Sequence, residues 1–367
     1  MTAIKKVLFL SNHYFKNNQG GAELQMIYLA EGLAKNGYEV DFLFLDKNKE
    51  TRSDDVFTLH SIKRFKYIER VFGDYCYYHQ ALNKIKEIKP DIIYHRNLGA
   101  LALPIFHYSK RHNCKTILHI AHQMDVSINI DLSRKVLSDV MNLYLRKYLI
   151  KRFGKIVAQA KYQAKLLKKN FNRETDLIMP NIHPIAQNKI IKQDKLVVLW
   201  IANLKPWKQP QVFIDLAKEC QDLDVEFVMI GRDNLGRESK FIMEKINRSE
   251  NLSYLGELPL PEVNKFFRKS HIFVNTSLQE GFPNTFIQAW LREVPVVSLN
   301  VDPDNVLVEN EIGFHSKTFQ QLVEDIDLLV KDGALRESIA RRAKKYAEKE
   351  HSFLNLDAFI RLIEPVK

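Results

Sequence analysis

Ile272-Phe273-Val274 is followed, after a short polar stretch, by Glu280-Gly281-Phe282-Pro283-Asn284-Thr285-Phe286-Ile287-Gln288-Ala289-Trp290. The first three residues have the apolar character of a buried strand. Glycine and proline then mark a turn, and from Phe286 the run reads as an apolar helical segment. Strand, glycine loop and helix start is how α/β proteins build a site for an anion. The N–H groups of a first helical turn have no partner inside the helix and point outward.

Working outward, the same alternation fills the chain. Upstream, strands are expected at Leu196–Ile201, Val225–Ile230 and Leu252–Leu255, with helices at Gln209–Cys220 and Pro261–Phe267 between them. Downstream, Val294–Leu299 is a further strand, and beyond Thr318 the chain reads as helical with breaks near Asp332-Gly333 and His351-Ser352. The polar, irregular Pro180–Asp194 reads as a linker. Before it lie strand patterns at Val7–Leu10, Val40–Leu45, Asp91–Tyr94, Thr116–Ile120, Ile156–Ala158 and Asp176–Met179. Gly20-Gly21 opens a helix, with Leu24, Ile27 and Tyr28 on one face, that Gly37 ends. Strands alternating with helices imply parallel sheets covered on both faces. The expected fold class is α/β, with two Rossmann-like doubly wound domains facing across a cleft. The expected boundaries are 1–187, 188–350, and a final segment 351–367 that crosses back to the first domain.

Composition narrows the function classes. At 367 residues and 46% apolar, the chain can bury two domain cores. No apolar run approaches the ~18 residues of a membrane span. Met1–Leu10 runs straight into a strand pattern without a signal-peptide cleavage site. Cys76, Cys114 and Cys220 are odd in number and far apart, which suits a reducing compartment and no metal site. A cytoplasmic protein is expected. The net charge of +11 concentrates in Val140–Arg173, where ten Lys or Arg stand without an acid. Lys161, Lys165, Lys168 and Lys169, with Tyr162 and Leu166-Leu167, suggest an amphipathic face for an anionic membrane surface; a solvated basic face is the plainer alternative. No nucleic-acid module is recognisable, so nucleic acid is not an expected partner.

Several residues have chemistry to offer. Lys208, in Asn203-Leu204-Lys205-Pro206-Trp207-Lys208 just past a strand, can neutralise a phosphate as a point charge or be a solvated lysine. Glu280 can accept hydrogen bonds from sugar hydroxyls or balance charge near the following helix. Thr285 and Gln288 fit a capping box, a purely structural role. Gly20-Gly21 lacks the three spaced glycines of a dinucleotide fingerprint; it is a tight turn, a substrate contact, or both. His119, His122 and Asp125 have a spacing that a metal or general base could use, but a third metal ligand is missing.

Together these pieces resemble the nucleotide-sugar glycosyltransferases of family 4 (group 1), whose fold is GT-B. Glu280 to Ala289 is similar to that family's Glu-x7-Glu signature, and Gly20-Gly21, Pro180-Asn181, the Lys208 loop, Ile230-Gly231 and Phe273–Ser277 come in the family's order. The resemblance implies a retaining, metal-independent transferase that moves a sugar from a nucleotide-diphospho sugar to a lipid-linked, polysaccharide or other glycan acceptor. It implies Lys208, Glu280 and His122 as catalytic residues. Donor contacts would come from Gly20, Gly21, Asn203, Lys205, Gly231, Gly281, Phe282, Pro283, Asn284, Thr285 and Gln288. It implies no cofactor beyond the nucleotide sugar, which is a substrate; with the basic segment, a peripheral place on the cytoplasmic face of the plasma membrane is expected. Two departures stand out. Gln288 replaces the second glutamate, although an amide still serves a ribose diol. Asn203 replaces the family's arginine, while Lys205 offers a cation at a different offset. These departures keep open a non-catalytic nucleotide-sugar-binding or partner protein, or a nucleotide-sugar epimerase on the same scaffold.

Overall fold

The structure is a computed structural model that describes residues 5–14, 20–53, 56–96, 98–128, 136–185 and 190–364. Residues 15–19, between the first strand and the first helix, and 186–189 of the expected linker lie outside them, as do the side chains of residues 136–142. The chain divides into two units, residues 1–182 with 353–367, and residues 183–352.

Unit 1 is built on eight strands: β1 (Lys6–Leu10), β2 (Glu39–Asp46), β3 (Thr51–Ser53), β4 (Thr58–Lys63), β5 (Ile92–Arg96), β6 (Lys115–His119), β7 (Lys155–Ala158) and β8 (Leu177–Ile178). Their order is β3-β4-β2-β1-β5-β6-β7-β8, and every pair except β3–β4 is parallel. One face packs Ala81, Ile85, Ile105, Leu149 and Leu167 of four helices against Leu8, Leu43 and Ile93. The other packs Met26, Leu29 and Leu33 against Phe9, Phe42 and Tyr94. That second layer is completed by Leu356, Phe359 and Ile363 of the helix Leu356–Ile363.

Strands β3 and β4 are absent from the sequence reading. In β4 the polar residues sit at buried positions, so no apolar alternation appears. Each has a partner: His60 Nε2 meets Asp41 Oδ1 at 2.6 Å and Ser61 Oγ donates to Asn48 O at 2.8 Å. Paired in this way, a buried polar group costs little.

Unit 2 carries β9 (Leu196–Ile201), β10 (Val225–Ile230), β11 (Leu252–Tyr254), β12 (Ile272–Asn275), β13 (Val296–Ser298) and β14 (Gly313–His315), all parallel in the order β11-β10-β9-β12-β13-β14. The sheet starts at β9, winds outward through β10 and β11, then returns to add β12 on the other side. The β9–β12 boundary is therefore the switch point, outside whose carboxyl ends such sheets bind ligands. In unit 1 the corresponding boundary is β1–β5.

The division falls at Ile182/His183 rather than 187/188, for a local reason. Ile182 is buried, and both ends of the Gln25 amide hold it: Ile182 N–H donates to Oε1 at 2.9 Å and Nε2 donates to Ile182 O at 3.0 Å.

Candidate functional site

Lys208 and Glu280 meet at the switch point of unit 2. Lys208 ends the short turn Pro206–Lys208 after β9, and Glu280 lies in the loop after β12. Lys208 Nζ is ion-paired with Glu280 Oε1, and both side chains are largely buried, at 20% and 15% exposure. Ser277 Oγ donates to the same carboxylate oxygen at 2.9 Å.

The two loops are pinned to each other from below. Thr276 Oγ1 lies 2.6 Å from Lys208 O and 3.1 Å from Gln209 O, and it accepts from Trp200 Nε1 at 2.9 Å. Leu278 N–H donates to Trp207 O at 2.8 Å. These contacts place the lysine backbone independently of its ammonium group.

The remaining residues of the first loop have defined positions. Lys205 Nζ stands 4.9 Å over the Trp207 ring. Asn203 and Leu204 follow β9, with Leu204 bridged to Asp233 after β10. Gly231 is a steric requirement: a Cβ there would lie 1.7 Å from Ala202 O, so only glycine lets the β9 and β10 ends approach.

The helix after Glu280 spans Asn284–Trp290, and its apolar face, Phe286, Ile287, Ala289 and Trp290, is buried. Each large side chain among them contributes about 1.5–3 kcal/mol by leaving water. The expected Thr285/Gln288 capping box does not form. Pro283, with φ −64°, is the N-cap without a side-chain bond, and the helix starts at Asn284, so Thr285 is already its second residue. Gln288 is buried at 5% exposure, one turn into the helix. At the helix end, Lys192 Nζ donates to Arg292 O, Glu293 O and Ser270 O at 2.6–3.1 Å.

Behind the loop lie two histidines that the sequence reading passed over. His183, buried at 2%, bonds Asn284 Oδ1 through Nε2 at 3.1 Å. His351 is also buried, and its ring lies 4.8 Å from that of Phe282 and 6.0 Å from that of Trp290. Neither sits in a recognisable motif, so only the tertiary fold reveals them.

In unit 1, Gly20 is the N-cap of the helix Gly21–Lys35, at the carboxyl side of β1. Neither glycine has a positive φ, so a left-handed turn is not why they stand there. The Glu23 carboxylate folds back to within 2.1 Å of where a Gly20 Cβ would sit.

His119 and His122 do not face a common point. His119 is buried, its Nδ1 2.8 Å from the Tyr94 hydroxyl, and burial with the neighbouring Arg96 charge holds its pKa well below the usual imidazole range. His122 caps the turn Gln123–Val126, where its Nδ1 accepts from Met124 N–H at 3.1 Å. Asp125 returns the cap through the N–H groups of Ala121 and His122, both at 3.0 Å. With Nδ1 accepting, the neutral imidazole carries its proton on Nε2.

The basic segment also differs from its expected form. On the helix Lys161–Phe171, Leu167 and Phe171 are buried and Leu166 packs on the same core, so the apolar face turns inward. Lys168 pairs with Glu174, and Lys155 and Arg173 with Asp176, acids just beyond the acid-free window. Exposed aromatics lie instead on the helix Val136–Ile150, where Tyr144 is 70% exposed and Tyr148 38%. An open groove of about 580 Å³ there is lined by Leu103, Tyr144, Leu145, Lys147, Tyr148, Lys151 and Arg152.

Two family models match consecutive parts of the chain. Residues 19–180 match Glycosyltransferase Family 4, and residues 182–346 match Glycosyl transferases group 1. An uncharacterized glycosyltransferase of Methanocaldococcus jannaschii is 25% identical over 64% of this chain and 60% of its own length. Another, from Haemophilus influenzae, is 24% identical over 90% of this chain and 92% of its own. Among solved structures, Anabaena HepE in complex with UDP-glucose superposes with a TM-score of 0.75 at 18% identity, covering 97% of this chain and 98% of that one. The chain belongs to the group 1, family 4 glycosyltransferases: it is a glycosyltransferase enzyme of GT-B fold.

Proposed function

We propose that the enzyme takes its sugar from a nucleotide-diphospho sugar, retains the anomeric configuration, needs no divalent cation, and extends a lipid-linked glycan or polysaccharide. The Lys208–Glu280 pair at the β9–β12 switch point carries this reading. Transfer breaks the bond from the anomeric carbon to the diphosphate and puts negative charge on the departing oxygen. Lys208 Nζ, released from Glu280, meets that charge, together with the N–H groups from Gly281 to Thr285. Glu280, held by Ser277, accepts from the sugar hydroxyls, and Gln288 serves the ribose. The acceptor oxygen bonds the anomeric carbon on the face the diphosphate leaves, and its proton passes to the diphosphate. His122 meets the reacting sugar as an Nε2–H donor, and Gly20-Gly21 meets substrate at its own switch point. The HepE complex with UDP-glucose makes a uridine donor the first to try.

Purified enzyme, offered UDP-, GDP- and ADP-sugars with a glycan acceptor panel, is expected to release one nucleotide at a rate that EDTA leaves unchanged. The product's anomeric proton coupling should match the donor's. Inversion overturns the retaining route, and loss of rate in EDTA that Mg²⁺ restores overturns the cation-free one.

The same reading places unit 1 against an anionic membrane. Arg152 lies 3.6 Å over the Tyr148 ring, so cationic and aromatic groups are interleaved beside the groove. Tyr67, 88% exposed, and Phe72 add aromatics on the helix Lys66–Phe72. No helix among the described residues is long and apolar enough to cross a membrane. Lys147→Glu/Lys151→Glu/Arg152→Glu is expected to lower binding to vesicles containing phosphatidylglycerol at least tenfold, and Lys161→Glu/Lys165→Glu/Lys169→Glu to lower it less. The reverse order in a flotation assay would return the anchor to the helix Lys161–Phe171.

A further inference from the structure

We propose that His183 is a positioning residue for glycosyl transfer, acting through the Asn284 side chain on the loop Glu280–Thr285. The proposal rests on that loop being the diphosphate cradle.

Asn284 is the first residue of its helix. A free asparagine oxygen in a first helical turn can compete for the backbone N–H groups near it. Those are the donors the diphosphate needs. In this structure Oδ1 meets His183 Nε2, 3.1 Å away. Asn284 Oδ1 can only accept, so Nε2 carries the proton and donates. Burial keeps the imidazole uncharged, with its pKa pushed down to about 3, so the bond persists across the working pH range.

The mount is rigid. His183 N–H donates to His351 O at 2.7 Å. Pro184 restricts the His183 backbone. His351, so tied, packs its ring on Phe282. The two residues flanking Pro283 are therefore each backed by a histidine, one through a hydrogen bond and one through ring contact. Losing the His183 bond frees the Asn284 oxygen to compete for the N–H groups of its own turn.

The test compares His183→Phe, which keeps a ring and loses the bond, with His183→Gln, whose side-chain N–H can reach Asn284 Oδ1. UDP, GDP and ADP affinities are measured by calorimetry, and kcat and donor KM are measured beside thermal midpoints. His183→Phe is expected to weaken the preferred nucleotide about tenfold and to lower kcat, and His183→Gln to recover most of both. In Asn284→Ala, which has no oxygen to misplace, His183→Phe should add little. Should His183→Phe not fold, His183→Ala takes its place in the same comparison. Nucleotide affinity and kcat within twofold of wild type in His183→Phe overturn the proposal, as do equal losses in Phe and Gln variants that track only the thermal midpoint. A wild type that binds none of the three nucleotides overturns the cradle itself.

Discussion

Lys208→Ala is expected to lower kcat/KM for the nucleotide sugar by about 10²–10³, the effect of removing one preorganised group that faces developing charge. Most of the loss should fall on kcat. In the proposed mechanism a ground-state diphosphate already meets backbone N–H groups, whereas the charge that appears on the departing oxygen is what the ammonium would answer. The substitution does more than delete a cation. Glu280 lies largely buried beside Lys208 and Ser277, so without the lysine its carboxylate loses the cation that balances it. Lys208→Arg should recover only part of the rate, because a planar fork does not replace a compact ammonium on the same oxygen.

Stability separates this role from a structural one. The Lys208 loop is fixed through backbone atoms, Lys208 O and Gln209 O near Thr276 and Trp207 O to Leu278, and these survive the substitution. The thermal midpoint of Lys208→Ala should stay within a few degrees of wild type. A variant with kcat within threefold of wild type refutes the mechanism. One whose activity and melting temperature fall together assigns the ion pair to the fold instead.

How much of this was legible in the chain depends on where each signal resides. Leu196–Ile201 and Ile272–Asn275 announce themselves because strands buried on both faces are uninterrupted apolar runs. Thr58–Lys63 does not, since His60 and Ser61 are solvated by partners that are invisible in sequence. Lys208 and Glu280 were readable as a pair only through resemblance, because 72 residues separate them and strand order alone makes them neighbours. Ser277 closes the Phe273–Ser277 piece of the resemblance, but its bond to Glu280 three residues on is seen only in the fold. His183 is the extreme case, since its meaning lies entirely in a bond to a residue 101 positions away. The Thr285–Gln288 box was legible and wrong: the pattern fits the spacing, but Pro283 starts the helix early.

Acidification below pH 6 should unfold the enzyme steeply. Burial holds the His183 pKa near 3, burial and the Arg96 charge hold His119 well below 6.5, and burial lowers His95. In the unfolded chain each titrates near ~6.5. Between the folded and unfolded values the unfolded state binds the extra protons, so stability rises with pH and falls as pH drops. Above ~6.5 these groups contribute nothing to the pH dependence; below it, each removes up to about 1.4 kcal/mol per pH unit once fully protonated in the unfolded chain. At pH 5 the linked uptake should approach two to three protons, enough to exhaust a typical stability of ~5–15 kcal/mol within a few pH units. The two units can be followed separately. All three tryptophans, Trp200, Trp207 and Trp290, lie in unit 2, with His183. Circular dichroism also reports unit 1, which holds His95 and His119. Urea midpoints taken from pH 8 to pH 4.5 should be level with respect to these histidines down to about 6.5 and then fall in both signals. His183→Gln should flatten the fluorescence slope by close to one proton and leave the unit 1 part of the circular dichroism slope as it was. Midpoints that do not move between pH 6.5 and pH 5 would mean that the buried imidazoles reach solvent protons without unfolding, and the neutral His183–Asn284 bond would fall with them.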